Sequence, residues 1–419
     1  MSTLLIEGGH RLSGRVEVEG NKNAALPLLA ACLLTTEECV LTNMPRIRDV
    51  EGMARLLVDL GAEVDGIGTT TLRVRCRDVV KDEPDRALVG RLRGSVLLVG
   101  PLLARRGRVR LAPPGGDFPA RRSLSTHLEA LAAMGARSVE GPDHHLEAPP
   151  GGLRPASVYL WEASVTGTET ALLAAAAARG VSEIRHAACE PHVVELCEFL
   201  QQLGAGVTGA GSPTIRIEGG AKLGGATRRL WGDYIEAGSW AVVAAVTGGD
   251  IDVVGAREED MEVVASVLER LHVQCRMDAG VFRIEQSTVK GAGRLTTGLW
   301  PGFPSDLVSL VTVLATQAEG RTLVHDWMYE LRLFALEQLS GMSADLFLCD
   351  PHRIIVNGPR RLRGRPLDSR DLRSGMALIA AALAADGPSQ VSPLETVERG
   401  YGQLVERLKG LGAQVERRP

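Results

Sequence analysis

At 419 residues the chain is too long for one ordinary core and implies two or more domains. Hydrophobic residues are 45% and charged residues 23%, the globular range, and a net charge of −4 gives nucleic-acid binding no support. The seven cysteines (Cys32, Cys39, Cys76, Cys189, Cys197, Cys275 and Cys349) never fall in CxxC spacing, and no segment approaches about twenty unbroken apolar residues, which together predict a soluble cytoplasmic protein without zinc, disulfide framework or membrane contact.

The first element of interest is GNKNAALPLLAACLL at 20–34. It reads as a small-residue helix with a lysine at its mouth. Only five of the 47 basic side chains are lysines, so Lys22 stands where arginine would otherwise serve as a generic cation. A compact ammonium beside the N–H groups of a helix start suits an anion.

Two phrases then alternate along the chain. One is a small-residue helix, a turn and a strand. It appears at 24–45, 94–113, 168–187, 239–256, 307–326 and 375–394. The other is an amphipathic helix, a stop and a short alternating strand. Its strong copies are LVDLGAEV (57–64), LEALAAMGARSV (128–139), CEFLQQLGAGV (197–207) and VERLKGLGAQV (405–415). VLERLHVQCRM (267–277) and LEQLSGMSADL (336–346) are weaker copies without a glycine at the stop. Six α/β units follow, and three per domain suits the length better than a solenoid.

Most arginines fall in helix tails and edge loops. Arg93 in RLRGS, Arg122 in FPARRS, Arg332 in YELRL, Arg373 in DLRSG and Arg399 in ERGYG instead lie at seams between units. Converging guanidiniums would grip a substrate that carries carboxylate and phosphate together. Two carboxylates also stand out. Asp117 sits in the Gly-rich loop APPGGDFPARR and reads either as a turn residue or as an acid on a lid. Asp306 in GFPSDLVSL reads either as a helix-capping acid or as a general base at the helix mouth.

Taken in order, NKN, RLRGS, PPGGD, SVTGTET, CEPHVVE, GDYIEAGSW, GFPSD, YELR, DLRSG and ERGY span the whole chain. The series resembles the enolpyruvyl transferases, on the side of the UDP-N-acetylglucosamine 1-carboxyvinyltransferases of peptidoglycan synthesis. The sister EPSP synthases usually carry S-K-S where this chain has Asn21-Lys22-Asn23. The resemblance implies an α/β fold: a two-domain inside-out barrel of six βαβαββ-type units, three per domain. It implies a domain at 22–231, a second made of 1–21 and 232–419, and an active site between them. No metal or organic cofactor is implied, and no oligomeric state.

The implied reaction joins phosphoenolpyruvate (PEP) to a hydroxyl of a uridine nucleotide or UDP-sugar through a tetrahedral ketal. Lys22, Asp117, Asp306 and Arg399 would form the catalytic set, with Lys22 on the PEP phosphate and Asp306 as the acceptor-side base. Arg93, Arg122, Arg332 and Arg373 would hold PEP with Arg399. Asn23, Ser164 and Val165 would bind substrate.

The chain departs from the family at several of these points. Asp117 replaces the usual loop cysteine that fosfomycin alkylates. A carboxylate cannot form that thioether, which implies insensitivity to fosfomycin. Ser125 stands where an aspartate reads the base. Glu162 stands where some members have lysine near the diphosphate. Gly232-Asp233-Tyr234 replaces P-D-R. The PEP residues are kept and the acceptor residues altered. This leaves open UDP-N-acetylglucosamine at its 3-OH, UMP at its 3′-OH in nucleoside-antibiotic synthesis, and a catalytically silent ligand-binding homologue.

Overall fold

The computed structural model describes residues 2–115, 123–330 and 332–419. Those residues form two compact units. One contains residues 20–115 and 123–231, and the other contains the chain up to Glu19 together with Gly232–Pro419. Each has its own apolar core.

Three small-residue helices lie at the centre of each unit. In the first they are α1 (Lys22–Ala31), α2 (Val99–Arg106) and α3 (Val165–Ala177). In the second they are α4 (Tyr234–Val246), α5 (Val308–Gln317) and α6 (Leu372–Ala384). Every residue of α4 is buried, as is every residue of α3 from Gly167 to Ala176. A helix apolar on all sides has no solvent face and must be wrapped by other elements. In the second unit α4, α5 and α6 pack on one another, and in the first α3 packs against both α1 and α2. Small side chains permit close approach. A Cβ on Gly100 of α2 would lie 3.2 Å from the Thr170 carbonyl oxygen of α3.

Around these helices stand six sheets, three to a unit. Five have four strands and one shared pattern: a parallel edge pair followed by two antiparallel neighbours. The pattern recurs in the sheet of strand Thr3–Glu7, which pairs antiparallel with both Pro388–Ser392 and Gln414–Arg418. Strands such as Thr214–Gly219 alternate exposed and buried residues, as expected with one face on the helices and one in solvent. The architecture is the expected six-unit one.

The second phrase has a single backbone signature. Gly61, Gly135, Gly204, His272, Ser343 and Gly412 all have positive φ, from 59° at His272 to 111° at Gly204. In every copy a strand begins two residues later, at Glu63, Arg137, Gly206, Gln274, Asp345 and Gln414. A left-handed residue ends the helix and turns the chain back along it. His272 and Ser343 make the same turn with a side chain attached, which is why those copies look weak in sequence.

Candidate active site

In the second unit, the sequence Pro304-Ser305-Asp306 enters α5 through a single 3₁₀ turn, Ser305–Leu307. Asp306 does not cap it, for neither the turn nor α5 has a side-chain cap bond. Its carboxylate is instead held by two arginines. Arg332 Nη1 donates to Oδ1 at 3.0 Å, and Arg373 Nη2 donates to Oδ2 at 2.9 Å. The arginine side chains are 11% and 7% exposed and the aspartate 25%, so the carboxylate is the accessible member.

Local structure explains both positions. Arg332 opens the short helix Arg332–Glu337, with its guanidinium carbon 4.4 Å from the centre of the Tyr329 ring. Arg373 is the second residue of α6, whose first turn is capped by Asp371; that carboxylate accepts from Arg373 N at 3.0 Å and Ser374 N at 2.9 Å. Arg373 Nη1 also donates to the buried Tyr401 hydroxyl at 3.3 Å, and Tyr401 meets Ser239 Oγ of α4 at 2.8 Å. Burial opposes the charge on Arg373, but Asp306 and then Tyr401 outweigh it, and the guanidinium ends above its ordinary pKa. Arg399 lies half-buried in the turn two residues before Tyr401.

The first unit carries a different centre. Asn21 caps α1 by accepting from Asn23 N at 2.8 Å, and Lys22 is the first helical residue. Lys22 Nζ lies 2.6 Å from Asp49 Oδ2, with both side chains largely buried. Asp49 belongs to the first turn of helix Arg48–Asp59. Asn23 is half-buried in the first turn of α1.

Ser164 caps α3, accepting from Gly167 N at 3.1 Å, and Val165 is the first helical residue. Thr166 Oγ1 meets His127 Nε2 at 2.9 Å. His127 is 3% exposed, and burial followed by the charge of Arg93 lowers its pKa to about 4. Arg93 opens the turn Arg93–Leu98 and donates to the Ser123 carbonyl at 3.1 Å. The RLRGS and SVTGTET segments are thus brought together around a neutral histidine. Deeper in α3, Glu169 is 1% exposed, and burial followed by Glu190 raises its pKa well above the ordinary carboxylate value.

Asp117 and Arg122 lie outside the described residues. Of the acceptor-side departures, Ser125 and Glu162 are exposed, Ser125 at the start of helix Ser125–Ala133 and Glu162 two residues before Ser164. Tyr234 is buried at the start of α4, edge-on to Trp300 with ring centres 5.4 Å apart, so it packs an apolar contact where the family has a charge. Among the described residues no cluster of His, Cys, Asp and Glu is arranged for a metal ion, and no helix is long and apolar enough to cross a membrane.

The sequence reading missed Asp49, Ser239, His127 and Tyr401. Tyr401 had a signal, since it sits inside ERGY. His127 also had one, as the histidine that closes the segment from Arg122 to His127; Asp49 had none beyond its position on a helix.

The profile of EPSP synthase (3-phosphoshikimate 1-carboxyvinyltransferase) matches residues 6–408. The chain belongs to this family of enolpyruvyl transferases. It is 44% identical over 423 residues to a UDP-N-acetylglucosamine 1-carboxyvinyltransferase of Bradyrhizobium diazoefficiens, covering 99% of this chain and 98% of the relative. It is 37% identical to the protein of that name from Bacteroides thetaiotaomicron, covering 100% of both chains. Among solved structures, the enolpyruvyl transferase NikO from Streptomyces tendae superposes with a TM-score of 0.88 at 24% identity, covering 99% of this chain and 98% of that one. EPSP synthase from Acinetobacter baumannii gives 0.76 at 20% identity, covering 100% of both. At those identities the two structures speak to the fold alone.

Proposed function

We propose that the protein transfers the enolpyruvyl group of PEP to a hydroxyl of a uridine nucleotide, with the 3-OH of UDP-N-acetylglucosamine as the acceptor, and releases phosphate. The observation that carries this is Asp306, a partly exposed carboxylate fixed between Arg332 and Arg373. Full-length relatives at 36–44% identity, named as UDP-N-acetylglucosamine 1-carboxyvinyltransferases, support the acceptor.

In this reading PEP gains a proton at its methylene carbon, and C2 takes on oxocarbenium character. Asp306 removes the acceptor hydroxyl proton as oxygen attacks C2. The tetrahedral ketal then loses phosphate and a methyl proton. Lys22 meets the phosphate at the N-terminus of α1 and shares its ammonium between that anion and Asp49. Arg93, Arg122, Arg332, Arg373 and Arg399 bind the PEP anion, and Asp117 moves the proton at the methylene carbon. Asn23, Ser164 and Val165 line the acceptor side. The two charged centres, each built within one unit, would serve one reaction, in the cytoplasm. The exposed carboxylate of Glu162 beside Ser164 favours a second reading, in which UMP with its single phosphate is the acceptor.

Phosphate release from PEP tests this, with UDP-N-acetylglucosamine, UMP or shikimate 3-phosphate as acceptor and Lys22→Ala as control. Release with the UDP-sugar that Lys22→Ala abolishes is expected. Release with UMP alone would replace the first reading by the second. No Lys22-dependent release with any acceptor would sink both.

A further inference from the structure

The clamp on Asp306 has a buried support. Asp326, which follows strand Gly320–His325, is 0% exposed. Its Oδ1 accepts from Thr297 Oγ1 at 2.8 Å and from Met328 N at 3.3 Å, and its Oδ2 accepts from Ser305 Oγ at 2.6 Å. Its backbone is fixed as well: Asp326 N donates to the His352 carbonyl at 2.8 Å, and His352 Nδ1 lies 2.7 Å from the Asp326 carbonyl oxygen. A hydroxyl has one proton. Ser305 directs its proton at Asp326, so only lone pairs face Arg332. Arg332 Nη1 donates to Ser305 Oγ at 2.9 Å and to Asp306 Oδ1 at 3.0 Å. An unbroken chain therefore runs from a buried carboxylate to the partly exposed one.

We propose that Asp326 is a positioning residue for the transfer: it orients the Ser305 hydroxyl, which seats the Arg332 guanidinium, which aims Asp306. The proposal rests on the reading of Asp306 as the base. A carboxylate is required at 326 because it only accepts. An asparagine amide can turn its NH2 towards Ser305, and then two donors compete for one oxygen and Arg332 loses its seat. A buried carboxylate also adds a negative charge near Arg332 in a medium that screens it poorly.

The test is steady-state phosphate release from PEP with UDP-N-acetylglucosamine, alongside thermal midpoints, for the native enzyme, Asp306→Asn, Asp326→Asn, Ser305→Ala, Ser305→Thr and the double variant Ser305→Ala/Asp326→Asn. Asp306→Asn is expected to lose about a hundredfold or more in kcat. Asp326→Asn and Ser305→Ala should each lose about tenfold in kcat, with KM for PEP within about threefold, as for a misaimed base. The double variant should be no worse than the worse single, because both act on one contact. Ser305→Thr, which keeps the hydroxyl, should stay within about threefold of native.

A lowered thermal midpoint with native kcat in Asp326→Asn would mean a structural role only and would overturn the proposal. Independent losses that multiply in the double variant would do the same, since Asp326 would then act by a route other than Ser305. Should Asp326→Asn not fold, native kcat in Ser305→Ala would overturn it equally. Native activity in Asp306→Asn would instead remove the reading on which the proposal stands.

Discussion

The two units place opposite charges at the mouths of their buried helices. In the second unit a carboxylate, Asp306, is held between two guanidiniums. In the first, one ammonium, Lys22, is set against one carboxylate, Asp49. Both centres stand where a polar chain segment enters an apolar helix; the N–H groups there favour the Asp306 carboxylate, whereas the Lys22 ammonium is balanced by Asp49. The difference suits different tasks. Two cations leave a carboxylate oriented and partly accessible, fit to take a proton. An ammonium beside the N–H groups of a helix start suits an anion.

The largest effects should come from breaking that contrast. Lys22→Ala and Asp306→Asn should each cost about a hundredfold or more in kcat/KM. They should differ in kind: Lys22→Ala raises KM for PEP as well, whereas Asp306→Asn acts on kcat. Identical signatures would mean that the two centres do not divide the work.

His127 sharpens the comparison, since it is a neutral group kept beside the cation Arg93. Its folded pKa is about 4, below the ordinary 6.5. Between those values the unfolded chain binds the proton and the folded one does not, so stability falls as pH is lowered through that window. At 1.36 kcal/mol per unit the fall is about 3 kcal/mol. Denaturant titrations at pH 7 and pH 4.5 should show His127→Gln with a shallower fall than native, and equal falls would place the acid sensitivity elsewhere.

A smaller effect separates the strong repeat copies from the weak. At Gly204 a Cβ would meet nothing within 4 Å, so Gly204→Ala tests φ alone and should cost about 1–2 kcal/mol. Ser343→Gly relieves the same conformation and should stabilise by less than about 1 kcal/mol in chemical denaturation. A destabilised Ser343→Gly would mean that the serine side chain contributes more than its backbone costs. The smallest expected effect is none: preincubation with fosfomycin should leave activity unchanged, and time-dependent covalent modification of Asp117 would contradict this.

The fold was legible because its repeat is written in backbone terms. Glycines at 61, 135, 204 and 412 mark left-handed stops, and the alanine-rich stretches announce helices with no wet face. His272 and Ser343 blurred two copies because a tertiary frame can impose a positive φ that the residue itself disfavours. The site was half legible. Asp306 stood out as an acid at a helix mouth and Arg332 and Arg373 as cations at seams between units, and the structure joins all three. Their supports did not stand out. Tyr401 and Ser239 reach the clamp from other repeats and Asp326 from the far end of Asp306's own, and nothing local to HDW or GSW says that those side chains are buried beneath an arginine. The capping reading of Asp306 fitted the spacing equally well until its two partners came from distant segments.

Strand Thr3–Glu7 lies between Pro388–Ser392 and Gln414–Arg418. During synthesis its flanking strands are the last of this sequence to emerge, whereas the unit at 20–231 is complete once its own residues are out. The opening strand therefore waits for its partners after the other unit can already have folded. Its short length and the charged Glu7 at its end limit what else it can pair with during that wait.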